Sequence, residues 1–262
     1  MSNPFTVAAE ETARKTGSID AVVASLPISL ANATLEPDIV ALDGSKTGWP
    51  ERAQEALDRG ARATVVISPT STTGPAPKTS SRILFDWAFA SNPAVQKAAE
   101  AADRLVAPVT LLESRLVVPA GVDLNQVLLD QLTAIAHIVG ENSLPPGSIR
   151  RLHADEYGYQ MSGTLAGGAP VTVSAVVTGA EHTHLEIRLL TQDESITVFL
   201  PAPDTAIPAE VRMTTHEGEL LLPTQYESAH RSTWRRAIRT LSEEAETQDF
   251  ATLQRAVAVM HP

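Results

Sequence analysis

The clearest hydrophobic pattern in the chain runs from Gly48 to Pro69. Ala53, Ala56 and Leu57 fall at i, i+3 and i+4, with Glu51, Arg52, Glu55, Asp58 and Arg59 on the other faces. That spacing predicts a helix with one narrow buried side. Gly60 ends it, because glycine takes the left-handed conformation that helix ends favour. Ala63 to Ile67 is a continuous apolar run of the kind found in strands covered on both faces, and Pro69 closes it because proline cannot donate to the ladder. A helix followed by such a strand is one unit of a parallel sheet. Open sheets of this type bind ligands beyond the carboxyl ends of their strands, which makes Ser68 the first position to inspect for chemistry.

The flanking pattern extends this unit in both directions. An Asn-Pro start signal with Val7, Ala8 and Ala13 predicts an amphipathic first helix over residues 4–16, stopped by Gly17. Residues 19–26 read as a buried strand, 27–33 as a short helix or turn, and 38–42 as the next strand, ending at Asp43-Gly44. Residues 70–81, rich in Ser, Thr, Gly and Pro, form a polar loop. Residues 82–87 return to a strand, and Asn92-Pro93 opens a helix through about Arg104. Alternating strands and helices over 1–108 predict a doubly wound parallel sheet. The second half has a different rhythm. A strand over 109–118 and an apolar helix over 124–139, ended by Gly140, are followed by short strands at 160–165, 171–177, 184–190 and 195–200. Short strands joined by short turns predict an antiparallel sheet, one face of which stays outside the domain core and is open to a partner subunit. Amphipathic helices at 233–241 and 250–260 close the chain, and are expected to pack back on the first domain.

Composition narrows the functional classes. With 262 residues and 43% hydrophobic content the chain can bury roughly three-quarters of its unfolded surface, as one large domain or two ordinary ones. The net charge of -11, from 20 basic against 31 acidic side chains, argues against nucleic acid as a partner, since no basic cluster offsets it. Cysteine is absent, which excludes disulfides, thiolate metal sites and a catalytic thiol. The first seventeen residues carry early acids and no long apolar run, so neither a signal peptide nor a membrane span is expected, and the cytoplasm is the expected location.

The order of elements and several local strings resemble the glucose-fructose oxidoreductase / inositol dehydrogenase (Gfo/Idh/MocA) family over most of the chain. DIVALDGSKTGWPERAQEALDRGARATVVISP has the strand, helix, glycine and strand spacing of the family segment that ends in Glu-Lys-Pro. RILFDWAFASNPAVQKAAEAA is similar to the family's following strand and Asn-Pro helix, and LLDQLTAIAHIVG to the helix that begins its second domain. The resemblance implies a shortened Rossmann-like parallel sheet domain over 1–108, plus an α+β domain with an open antiparallel sheet over 109–262.

Departures from the family pattern bear on activity. The family opens with a strand and G-x-G-x-x-G, which brings a helix amino end to the dinucleotide pyrophosphate, and no G-x-G occurs here. The chain begins where the family's first helix would be, which implies loss of the first strand and its glycine turn. Ile67-Ser68-Pro69 stands for Glu-Lys-Pro, so the family lysine is missing. The family's Asp-x-x-x-His pair maps on Asp130 and Ala134, so its imidazole is missing too. His137, seven residues after Asp130, lies near the same helix face.

Each candidate site has two readings. Asp130 and His137 form either an acid/base pair in a cleft or a polar helix stripe. Lys78 is either a displaced catalytic lysine or a solvated loop charge. Ser68, with Thr70, Ser71, Thr72 and Thr73, either binds an anion or belongs to a polar loop. Asp43 either meets a cofactor ribose or caps a turn. His182 and His184, two apart, are placed to share a metal, but no third ligand accompanies them and no metal is expected. Trp87, Phe89 and Trp234 read as packing residues. Two functions follow. One is a degenerate oxidoreductase-family subunit without dehydrogenase activity or cofactor, which binds, regulates or self-associates as a homo-oligomer through its antiparallel sheet. The alternative is an NAD- or NADP-dependent oxidoreductase of a sugar- or polyol-like substrate, with Asp130, His137 and Lys78 in atypical catalytic roles and Asp43 and Ser68 at the cofactor.

Overall fold

A computed structural model describes residues 3–33, 35–72 and 76–260. The first half contains β1 (Phe5–Ala9), α1 (Glu11–Thr16), α2 (Ile19–Ser25), β2 (Leu30–Asn32), β3 (Ile39–Asp43), α3 (Trp49–Asp58), β4 (Ala63–Ile67), β5 (Ile83–Asp86) and α4 (Pro93–Ala102). Its five strands form one parallel sheet in the order β2-β1-β3-β4-β5. The α3 and β4 unit has the predicted bounds, and all five residues of β4 are buried. Alternation along the strands feeds two cores. Val7, Ile39, Ala41, Val65 and Ile67 pack on one face with Trp234, while Leu42, Val66 and Phe85 pack on the other with Trp49 and Ala53.

Three expectations are corrected in this half. The first strand is present: Phe5-Thr6-Val7, aromatic and β-branched, forms β1 beside β3, and only Glu11 onward is helical. Residues 19–25 are helix α2, not a strand, because Ile19, Val22 and Val23 are buried at i, i+3 and i+4. The segment that follows supplies a short strand, β2, on the far side of β1. The link from β2 to β3 is short. A crossover between parallel strands ordinarily takes about a dozen residues or more, yet only residues 33–38 link β2 to β3. This suffices because Val7 pairs with both Asn32 and Ile39, so the chain steps across β1 at a single position. Asp38 anchors the step by accepting bonds from the Thr6 backbone N–H at 2.8 Å and its hydroxyl at 2.9 Å.

The second half contains β6 (Leu111–Val118), α5 (Leu124–Val139), β7 (Ile149–Asp155), β8 (Gly158–Thr164), β9 (Pro170–Val177), β10 (His184–Leu190), β11 (Ser195–Pro201), β12 (Glu210–Thr215), β13 (Gly218–Leu221), α6 (Ala229–Ser242) and α7 (Asp249–Met260). The strands make one eight-stranded sheet, β13-β12-β11-β10-β6-β9-β8-β7. It is antiparallel except for β6 and β9, which pair in parallel because α5 carries the chain back before β7 begins. In β6, buried Leu112, Ser114 and Leu116 alternate with exposed Glu113 and Arg115, so one face is packed and the other polar. Helices α4 and α5 cover the packed face, α6 lies against β4, β5 and α2, and α7 against α5 and β5.

Candidate functional site

In a sheet of order 2-1-3-4-5 the ligand crevice opens beyond the carboxyl ends of β1 and β3, where the winding reverses. Here Glu10, directly after β1, fills that position. Its Oε2 accepts the Asp43 backbone N–H at 2.9 Å and its Oε1 pairs with Arg52 Nε at 3.0 Å. Arg52 also donates from Nη2 to the Asp43 carbonyl at 2.7 Å, which ties α3 across the two strand ends. The Asp43 carboxylate turns away into its own loop, where Oδ1 accepts the Ser45 backbone N–H at 3.0 Å and hydroxyl at 2.6 Å. Burial works to raise its pKa, but these bonds and Lys46 outweigh it and hold the carboxyl below its ordinary value. Beside this network lies a cavity of about 550 Å³ over β3, walled by Pro37, Val40, Leu42 and Ala56 and rimmed by Glu10 and Arg52.

Ser68 stands at the end of β4 with φ 53°, a left-handed conformation that costs a non-glycine residue on the order of 1–2 kcal/mol. The surroundings hold it there. Its N–H donates to the Asp86 carbonyl at 2.9 Å, and its carbonyl accepts Gln126 Nε2 from α5 at 2.6 Å. Gly44 makes this approach possible, since a Cβ there would meet Pro69 Cα and Val66 Cγ1 at 2.6 Å. Thr70 returns its hydroxyl to the Gly44 carbonyl at 2.9 Å. Thr73 lies outside the described residues.

One turn beyond Gln126, Asp130 is buried and grips the turn after β5: Oδ2 accepts the Phe89 N–H at 2.9 Å and Oδ1 the Ala90 N–H at 2.8 Å. Burial pushes its pKa up to about 7, against the opposing effect of those bonds. His137 does not join it. It lines a separate cavity with Arg236 and Asp249, where desolvation of its inner side lowers its pKa while the other side stays open to solvent. Lys78 is exposed, on a turn whose Thr79 N–H donates to Gln54 Oε1 of α3 at 3.2 Å. Arg82, just beyond, reaches the carbonyl of Arg62 ahead of β4, so this segment has returned toward the amino end of the sheet. Asp130 and His137 both reach the Ala90 backbone, but only His137 lines the cavity, and Lys78 lies apart from both. His182 lies outside β10, where its carbonyl bonds to His184 Nδ1 at 2.8 Å, and among the described residues no group of three His, Cys, Asp or Glu is placed to hold a metal. Trp87, Phe89 and Trp234 are buried.

A buried pair escaped the sequence reading. Asp86, at the carboxyl end of β5, accepts His230 Nδ1 of α6 at 2.8 Å on Oδ2 and the Thr233 hydroxyl at 3.0 Å on Oδ1. Burial by itself lowers the His230 pKa, but the Asp86 carboxylate overrides it and raises the value. The available signal was a lone acid inside the apolar run ILFDWAF. Nothing in the sequence marks His230 as its partner.

No sequence-family model matches the chain, and no curated protein matches it by sequence. Solved structures do match in fold. A UDP-N-acetylglucosamine 3-dehydrogenase from Acidithiobacillus ferrooxidans superposes with a TM-score of 0.69 at 12% identity, covering 99% of this chain and 96% of that one. A 3-ketoreductase from Actinomadura kijaniata, in complex with TDP-benzene and NADP, gives a TM-score of 0.65 at 11% identity, covering 98% and 96%. The chain shares the fold of these structures, with a parallel five-stranded sheet and a second, mostly antiparallel sheet. In dinucleotide-binding folds of this kind the pyrophosphate meets a glycine-rich turn between the first strand and its helix. This chain has Ala9-Glu10-Glu11 there, leading into a helix of only 6 residues. A pyrophosphate at that point would meet the Glu10 carboxylate, which Arg52 already pairs at 3.0 Å. Among the described residues no helix is long and apolar enough to cross a membrane.

Proposed function

We propose that the chain is a divergent member of the Gfo/Idh/MocA family that has lost hydride-transfer chemistry and acts as a binding, regulatory or self-associating subunit. The observation that carries this reading is Glu10. Its carboxylate takes the switch point and is held by the Asp43 N–H and the Arg52 guanidinium, so the crevice carries its own anion. The separation of Lys78 from Asp130 and His137 supports the same reading. Calorimetric titration with NADPH and NADH is expected to show no micromolar binding. Micromolar binding that Asp43→Ala or Ser68→Pro weakens would overturn the proposal.

The alternative, an active NAD(P)-dependent oxidoreductase of a sugar- or polyol-like substrate, draws support from the cavity of about 550 Å³ beside the switch point, which is large enough for part of a nucleotide. The same titration separates the two, because that reading requires tight cofactor binding in spite of Glu10.

Self-association through the outer face of the eight-stranded sheet is part of the proposal. That face carries paired opposite charges: Glu113 is in register with Arg188, and Arg115 with Glu186. A twofold copy can meet such a pattern with opposite signs. The β7 edge is a poor alternative, since it is bulged between Arg151 and His153 and carries exposed arginines. Light scattering is expected to give twice the chain mass of 27.9 kDa. A single 27.9 kDa species at high protein concentration would remove this part of the proposal.

A further inference from the structure

Beyond the open edge of β5 lies a second cavity, of about 360 Å³, between α4, α5, α6 and α7. It is separate from the carboxyl-edge crevice, and the Phe89–Ala90 turn gripped by Asp130 passes along it. Two features create the space. Where the helices face one another they carry small residues, Ala99 on α4 and Ala136 on α5. The free edge of β5 is paired not with another strand but with side chains: the Phe85 N–H donates to Asp249 Oδ2 at 2.7 Å, and Arg236 Nη2 donates to the Phe85 carbonyl at 2.9 Å. These bonds tie α6 and α7 to the edge of β5. A cavity of this size, mainly apolar with a few polar groups, has the form of a small-molecule site.

Its charges select the ligand. Arg236 pairs through both Nη1 and Nη2 with the two oxygens of Asp249, each at 2.6 Å. Glu141 is occupied by Arg255 and by the Thr252 hydroxyl. Every full charge on the wall is therefore matched by protein, and an ionic ligand gains no free counter-charge while losing its hydration. Trp87, Pro93, Val95, Ala99 and Ala136 supply a mostly apolar surface, and His137 and Ser232 supply hydrogen-bonding groups at one side. We propose that this four-helix cavity binds a small, neutral, ring-shaped molecule with one polar edge, its ring against Trp87 and its polar edge toward His137 and Ser232.

The test uses three probes of one shape and different charge: benzamide, benzoate and benzylamine, titrated into the full-length, ¹⁵N-labelled protein. Benzamide is expected to shift the Trp87 indole N–H, assigned through Trp87→Phe, and the His137 backbone amide. The two charged probes are expected to bind at least about ten-fold more weakly, a difference of about 1.4 kcal/mol. Filling the cavity by Ala136→Leu is expected to abolish the benzamide response. Ala99→Leu, on the opposite wall, serves the same purpose if the first variant does not fold. Equal binding of a charged probe, no response to benzamide, or a response that survives a folded cavity-filling variant would each overturn the proposal.

Discussion

Replacing His230 with alanine is expected to lower the unfolding free energy by about 3–5 kcal/mol, the usual cost of removing one partner from a buried ion pair. The partner left behind is Asp86, which has no solvent exposure and, among the described residues, retains only the Thr233 hydroxyl as a side-chain donor. The cost depends on pH in a definite direction. The pKa of His230 is raised in the folded protein, so its contribution is fully present below the ordinary histidine value of about 6.5 and fades as pH rises through the higher folded value. Urea unfolding at pH 6 and pH 9 is therefore expected to show a larger loss for His230→Ala at the lower pH. A loss below about 1 kcal/mol at pH 6, the range of an exposed ion pair, would mean that the pair does not clamp α6 to the end of β5.

The prediction turns on a contact between residues 144 positions apart, which marks the limit of what the sequence discloses. Elements whose burial follows one period were legible. In α3 the apolar positions keep to one side, and in α5 a long apolar run ends at a glycine with positive φ. Where two elements abut without Gly or Pro between them, the pattern misled. Residues 5–9 and 11–16 merge into one apparent helix, although the first group is a strand. The sequence reading has no strand at β7, β12 or β13: β7 and β13 are exposed along almost their whole length, and β12 buries only Val211, so none shows a clear alternation. The site follows the same logic. Ser68 and Asp43 were placed by the strands that carry them. The importance of Glu10 appears only once residues 5–9 are known to be a strand beside β3, and the fixing of the Phe89–Ala90 turn by Asp130 depends on a contact across 40 residues.

Asp130→Ala is expected to destabilise the fold by about 2–6 kcal/mol, because it leaves two buried N–H groups, those of Phe89 and Ala90, without an acceptor at about 1–3 kcal/mol each. Here too pH separates one explanation from another. The Asp130 pKa is raised by burial to about 7, so its favourable contribution is complete below about 4 and is lost as pH rises through 7, where ionisation forces a charge into the interior. Asp130→Asn keeps one acceptor oxygen, cannot ionise, and turns an amide NH₂ toward the second N–H. Its deficit relative to the native protein should be greatest near pH 5 and should shrink by pH 8.5, in urea unfolding measured at both. A deficit that instead grows with pH would mean that Asp130 is stabilised as a carboxylate, as a residue poised to act as a base would be. His230 and Asp130 pull in the same direction, each favouring the folded state at mildly acid pH. Combining His230→Ala with Asp130→Asn should therefore flatten stability between pH 5 and pH 8.5 more than either change alone, provided both folded-state pKa values are set by burial and charge at the end of β5.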